Sequence, residues 1–260
     1  MWSNDIAPLL ANIAPNVLDI CHYGLTEMTN NAIDHSHGHQ LTIRLNRTDQ
    51  RIYLEVTDDG VGIFNKIATA LNLPDKRLAL LELAKGKFTT DSARHSGEGV
   101  FFTSRVFDGF TIFSGELVFN HNDGQSHDRL VELDQDASLA GTLVRMDVAV
   151  DTKRTLKQVF DSYSSGPDDY AFAKTVVPVA LARVGHENLM SRSQAKRLLQ
   201  RVERFRTVVL DFAGIDRVGQ AFADEVFRVF AMAHPDVELQ PIHAAAEVKQ
   251  MILRAQSHQG

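Results

Sequence analysis

Glu27 and Asn31 stand four residues apart, with Asp34 three further on, in the run Glu27-Met-Thr-Asn-Asn31-Ala-Ile-Asp34-His35. On a helix this spacing gathers the three side chains along one side. Leu25, Ala32 and Ile33 flank them, so the polar stripe is expected to point into the protein, where buried polar groups need partners. A metal ion and a polyphosphate are suitable partners. The amide oxygen of Asn31 is a hard ligand of the kind Mg²⁺ takes while it keeps waters and bridges phosphates. A carboxylate one turn earlier, Glu27, can polarise an attacking water or hydroxyl. The plainer reading of the run is a solvated helix face.

Three more pieces carry chemistry. Val56-Thr-Asp58-Asp59-Gly60-Val61-Gly62-Ile63 is a strand entering a turn whose glycines admit positive φ and close approach of backbone to a ligand. Asp58 at the strand end can accept a hydrogen bond from an exocyclic amine; the rival reading is a plain hairpin turn. Lys85-Gly-Lys87-Phe-Thr-Thr-Asp91, then His95-Ser-Gly97-Glu-Gly99-Val100, place glycines ahead of a helix expected through 100–107. Such a loop offers free N–H groups and a positive dipole end to phosphate, with Lys85, Lys87 and Arg94 able to add charge. An ordinary surface loop is the alternative. Gly141-Thr142 leads into an alternating strand and says little alone.

These pieces need elements to hold them. Apolar stripes over 5–36 predict helix, broken at Pro15. Leu41-Ile43-Leu45 and Ile52-Leu54-Val56 alternate around polar 46–50 and predict a hairpin. Residues 75–85 read as helix, and 110–113, 116–119, 130–133 and 142–148 as strands. The expected fold class is α+β, a sandwich with helices over one face of a mixed sheet. Residues 151–170 read as a connector between a domain over 1–150 and a small α/β domain over 171–260. In the latter, 173–182, 208–212 and 238–242 are strand candidates, and 192–204, 220–233 and 244–254 helices. Ser191 and Gln194 form a capping-box pair.

Composition limits the partners. The 260 residues are 44% hydrophobic and 23% charged with net charge −6, which suits a folded, soluble, cytoplasmic protein and disfavours nucleic acid. No apolar run approaches the ~20 residues that span a bilayer, so no membrane partner is expected. Cys21, the one cysteine, excludes an internal disulfide and reads as a small buried apolar residue rather than a nucleophile paired with His22.

In order and spacing the four pieces together resemble the GHKL ATPase/kinase superfamily, the fold shared by gyrase-type ATPases, Hsp90, MutL and histidine kinases. The resemblance spans about 20–148 and implies a Bergerat-fold site for ATP and Mg²⁺. It implies Asn31 as the metal ligand, Glu27 as the catalytic base, and Asp58 with Thr142 as the reader of adenine. The implied nucleotide-binding positions are Asn31, Asp34, Asp58, Gly60, Gly62, Ile63, Lys87, Gly97, Gly99, Val100 and Thr142. Residues 63–96 would be the lid. His95 departs from the glycine that opens many such Gly-rich loops. Glu27 points to the ATPase and anti-sigma serine-kinase branch, and the 26 residues ahead of it leave no room for a dimerising hairpin with a phospho-accepting histidine.

The run Val208-Val-Leu-Asp211 through Gly219-Gln220 to Asp224-Glu225 resembles the STAS family and its shorter STAS-like relatives. Where anti-sigma antagonists carry a phosphorylatable serine, Gly219 and Gln220 have no hydroxyl. Asp224 and Glu225 read as favourable charge in the first helical turns. Three functions stay open: a slow ATPase switch acting on the STAS-like domain or a protein partner, an anti-sigma-type serine/threonine kinase, and a non-enzymatic ATP sensor. A homodimer is compatible with each.

Overall fold

A computed structural model describes residues 1–87, 97–122, 129–133, 138–166, 169–184 and 187–257. The chain divides into two compact units, Met1–Phe160 and Asp161–Gly260.

The first unit opens with a π-turn, Trp2–Ile6, and a 3₁₀ turn, Ala7–Leu10. The long helix α1, Pro15–His35, follows, with Pro15 in the first turn where its missing N–H costs nothing. Its inward stripe is Val17, Ile20, Cys21, Leu25, Met28 and Ala32. Gly24 belongs to that stripe because a Cβ there would run into the Phe107 ring, 2.8 Å away at its tip. Strands β1 (Leu41–Arg47) and β2 (Arg51–Asp58) form the expected hairpin. Helices α2 (Ile63–Ala70), α3 (Leu78–Lys85) and α4 (Gly99–Val106) come next. Strands β3 (Gly109–Gly115), β4 (Leu117–Asn122), β5 (Arg129–Glu132) and β6 (Leu139–Ala149) complete the sheet.

The sheet runs β1-β2-β6-β3-β4-β5. Every described pairing in it is antiparallel, where a mixed sheet was expected. Short turns join β1 to β2 and β3 to β4, and such turns only connect antiparallel neighbours. One face is apolar: Ile52, Leu54 and Val56 of β2, Phe110 and Ile112 of β3, and Val144, Met146 and Val148 of β6 share one core with the inward stripe of α1. The other face carries charge, with Glu55 bridging Arg44 at 3.6 Å and Arg145 at 2.7 Å. This alternation is what a one-sided antiparallel sheet requires.

Two expectations change here. Residues 63–85 were expected within a lid, yet Phe64, Ile67, Ala79, Leu80 and Leu83 belong to the core, and every residue of α3 is buried. Helices that supply core side chains cannot act as a loose flap; the remainder of the expected lid, 88–96, lies outside the described residues. Nor is the whole of 151–170 a connector. Asn16 Nδ2 donates to the carbonyls of Thr152 and Arg154 at 2.9 Å, and the Arg154 guanidinium donates to Asp108 at 2.7 Å. Helix α5, Leu156–Ser162, follows directly.

The second unit begins with the small hairpin β7 (Ser164–Gly166) and β8 (Asp169–Phe172). Its main sheet is parallel, in the order β11-β10-β9, from β9 (Lys174–Pro178), β10 (Thr207–Asp211) and β11 (Glu238–Ile242). The strand expected over 173–182 stops at Pro178 and gives way to a 3₁₀ turn, because proline cannot donate to the ladder. Helix α6, Arg192–Leu199, opens with the Ser191/Gln194 capping box. A further helical run comprises α7 (Gln220–Asp224), a π-helical stretch (Glu225–Phe230) and α8 (Ala231–Ala233). Helix α9, Ala246–Ser257, ends the described chain.

Candidate functional site

Between α1, α4 and the apolar sheet face lies a cavity of about 370 Å³. Glu27, Asn31, Asp58, Gly62, Ile63, Gly97, Gly99, Val100 and Thr142 all line it. The four sequence pieces therefore meet around one space. Met28, Ala32, Val56, Ile67, Leu83, Ile112 and Val144 form its apolar walls, suited to a flat heterocycle.

The polar groups fall into two sets. The first is built on the strand ends. Asp58 pairs with Thr142 across β2 and β6, and its carboxylate is buried, with Oδ1 accepting from the Gly60 N–H at 2.9 Å. Burial raises its pKa above the ordinary carboxylate range, against a downward pull from the Gly60 and Thr142 backbone. Thr142 Oγ1 accepts from the Ile63 N–H at 3.0 Å, tying the start of α2 to β6. Asp59, next in sequence, has the opposite environment. Its Oδ1 accepts from the N–H groups of Gln40 and His39, at 2.9 and 2.7 Å, and these bonds lower its pKa. One aspartate faces the cavity while its neighbour pins the loop.

Glycines make this set possible. Gly62 has φ +83° and caps α2, and a Cβ there would lie 2.6 Å from Ser114 Oγ. Gly141 has φ +80°, and a Cβ would lie 2.9 Å from the Asp59 Cα and clash with the Asp58 carbonyl.

The second set joins α1 to the N-terminus of α4. A Cβ on Gly99 would clash with the Glu27 carboxylate, so that carboxylate lies against the first residue of the helix. The N–H groups at the start of α4 have no intrahelical acceptors and suit an anion. Asn31 Nδ2 is buried without a hydrogen-bond partner among the described residues. The Tyr23 hydroxyl is held neutral, its pKa raised by burial and then by the negative charges of Glu27 and Glu98.

The side-chain oxygens of Asn31 and Glu27 are hard ligands that fit Mg²⁺, while the orphaned Asn31 N–H suits a phosphate oxygen. Among the described residues no three His, Cys, Asp or Glu side chains gather as in an all-protein metal cage. Mg²⁺ shared with phosphates needs only one or two protein ligands.

Several expected positions lie elsewhere. Asp34 and Ile33 are exposed, and Asp34 does not line the cavity, since three helical residues past Asn31 fall about 60° round the helix. Gly60 stays outside the lining. Its role is packing: a Cβ would press on Ser36, whose carbonyl accepts from Val61 N at 2.9 Å. Lys87 has φ +54° and does not line the cavity. Lys85 is buried in an ion pair with Glu82 at 2.7 Å and adds no charge to the site. Arg94 and His95 lie outside the described residues. In the second unit Asp224 pairs with Arg228 at 2.7 Å, in keeping with a structural role.

The sequence reading missed Lys66, which lines the cavity and donates to the His35 carbonyl at 2.6 Å, closing the end of α1. No local pattern marks it. Asn30, His35 and Ser36 also line the cavity. Val56 and Val144 could have been found, as each lies two residues from a named site residue on the same strand face. Cys21 is fully buried, with its thiol pushed up to about 12 by desolvation, which fits a packing residue and not a nucleophile. No described helix is long and apolar enough to cross a membrane.

Residues 17–142 match the family described as Histidine kinase-, DNA gyrase B-, and HSP90-like ATPase. Residues 194–249 match the STAS-like domain of unknown function (DUF4325). Among solved structures, the 43K ATPase domain of Thermus thermophilus gyrase B, crystallised with an aminocoumarin, is similar at 18% identity and a TM-score of 0.31. The likeness covers 48% of this chain and 33% of that one, and is too distant to bear on function. No curated protein matches the chain significantly. The chain thus joins a GHKL ATPase domain, residues 17–142, to a STAS-like domain, residues 194–249.

Proposed function

We propose that the protein is a cytoplasmic Mg·ATP-binding regulatory switch, which turns nucleotide over slowly and passes its nucleotide state to the STAS-like domain or to a protein partner. The observation that supports it is a single cavity lined by Asn31, Asp58, Gly97, Gly99 and Thr142, drawn from four separate motifs. Asp58 accepts the exocyclic amine of adenine while Thr142 fixes the Ile63 backbone beside it. The start of α4 receives phosphate on its free N–H groups. Asn31 and Glu27 supply oxygen ligands and a base. Mg²⁺, when bound, neutralises phosphate charge. Glu27 accepts the proton of the attacking nucleophile, and its place against Gly99 keeps it beside the phosphate-receiving helix end.

The test is a titration of the full chain with a fluorescent mant-ATP, with and without Mg²⁺, followed by simultaneous measurement of free phosphate and phosphoprotein. Saturable, Mg²⁺-dependent binding with slow phosphate release is expected; no saturable binding refutes the reading. An anti-sigma-type serine kinase is the second reading, favoured by the same Glu27. Its target would not be position 219 of its own chain, where a Cβ would lie 2.7 Å from the Met190 carbonyl oxygen.

A further inference from the structure

The STAS-like domain holds a side-chain pair that no motif announced. His243 Nδ1 lies 2.9 Å from Asp211 Oδ1. Asp211 ends the central strand β10 and its side chain is only 8% exposed, whereas the His243 side chain is 56% exposed. Asp211 Oδ1 is fixed a second time by the Ala213 N–H at 2.9 Å. His243 follows β11 at φ +50°, an uncommon backbone for a non-glycine residue, so the fold holds this imidazole in place at a cost.

A carboxylate only accepts, so the ring proton of the neutral imidazole is on Nδ1, and in that form Nε2 carries the lone pair. No described residue bonds Nε2. The pair also sits at the carboxyl ends of three parallel strands, where Pro178, Asp211 and Ile242 are in register. An accessible Nε2, oriented through Nδ1 by a buried carboxylate, is a nucleophile with its supporting group. No hydroxyl stands at position 219, where a Cβ would lie 2.7 Å from the Met190 carbonyl oxygen.

We propose that His243 Nε2 is a phosphoryl acceptor, modified at the expense of ATP, and that Asp211 is its positioning residue. This rests on the nucleotide site proposed above. Nε2 attacks the γ-phosphorus, an N–P bond forms, and the bond to the β–γ bridging oxygen breaks with ADP as leaving group. The ring keeps its Nδ1 proton and becomes cationic, and the Asp211 carboxylate balances that charge. The donor nucleotide sits on this chain or on a second copy.

The experiment incubates the full chain with Mg²⁺ and γ-³²P-labelled ATP, splits the sample for acid and alkali treatment, and follows mant-ATP binding in parallel. Label on the protein that is acid-labile and alkali-stable is expected, and it disappears in His243→Asn. Asparagine tolerates the left-handed backbone, so that variant should fold and bind mant-ATP like wild type. Asp211→Asn keeps an oxygen for Ala213 and should lower the maximal labelling rate about tenfold or more, with the ATP concentration at half-maximal rate unchanged. Acid-stable label, label that survives in His243→Asn, or saturable nucleotide binding without any label each overturns the inference. Absence of nucleotide binding overturns the reading beneath it and is told apart by the mant-ATP arm.

Discussion

Asp58→Asn separates the cost of the site from its use. In the folded protein Oδ1 of Asp58 is committed to the Gly60 N–H, so in the proposed function the other oxygen is the one that meets the adenine amine. Asparagine can keep one of these arrangements and not both. With its oxygen on Gly60, its NH₂ faces the amine, donor against donor. A lost hydrogen bond to a charged acceptor costs about 1.5–3 kcal/mol, which is roughly a 10- to 150-fold rise in Kd. Stability should move the other way. Burial raises the Asp58 pKa, so the ionised carboxylate is a liability to the fold at neutral pH. The nucleotide-free variant should therefore melt at or above the wild-type temperature. Mant-ATP titration and thermal denaturation of the same samples read both quantities. Affinity within threefold of wild type, or a fall in both affinity and Tm, refutes the assignment of Asp58 as the amine acceptor.

Gly141→Ala should cost about 3 kcal/mol or more, since it combines a strained φ with a clash on Asp58, whereas Gly115→Ala, with φ +60° and open space around it, should cost about 1 kcal/mol; urea denaturation ranks the two. Lys85→Gln breaks the buried ion pair with Glu82 and should cost about 3–5 kcal/mol in urea while changing mant-ATP affinity less than threefold. Cys21 has a folded pKa of about 12 against an ordinary 9.0, so its contribution to stability is full below pH 9 and is lost as pH rises towards 12. Urea midpoints measured from pH 8 to 10.5 should fall in wild type and fall less in Cys21→Ala, which has no proton to lose.

Much of the nucleotide site is legible in the residues because its chemistry is local. Asp58, Gly60 and Gly62 sit within five residues, and the turn they form needs the positive φ of Gly62 and the missing Cβ of Gly60 against Ser36. The strand positions follow from two-residue alternation, which also carries Val56 and Val144 into the cavity. What stayed hidden depends on tertiary contact. Helix α3 has apolar and charged residues alike, and only its packing shows that Glu82 and Lys85 are buried together. Lys66 reaches a carbonyl 31 residues away. Asp34 shares the polar run with Asn31, yet a modest turn round the helix axis puts it in solvent.

The Asp211–His243 pair shows why such sites escape a linear reading. Its two members are 32 residues apart, each flanked by residues that look like ordinary strand ends. They meet because β10 and β11 are parallel neighbours in register, which brings successive carboxyl ends to one edge. Parallel pairing is itself forced by the helical crossover between the strands. Strand pairing also places Asp58 beside Thr142, 84 residues on, but there the strands are antiparallel, so the carboxyl end of β2 meets the first half of β6, and the sequence already held both halves of a known pattern. Both halves of this protein thus put a buried aspartate at a strand end and use a neighbouring strand to decide what it faces. In one the partner is a threonine and a cavity with apolar walls; in the other it is an imidazole whose free nitrogen faces solvent.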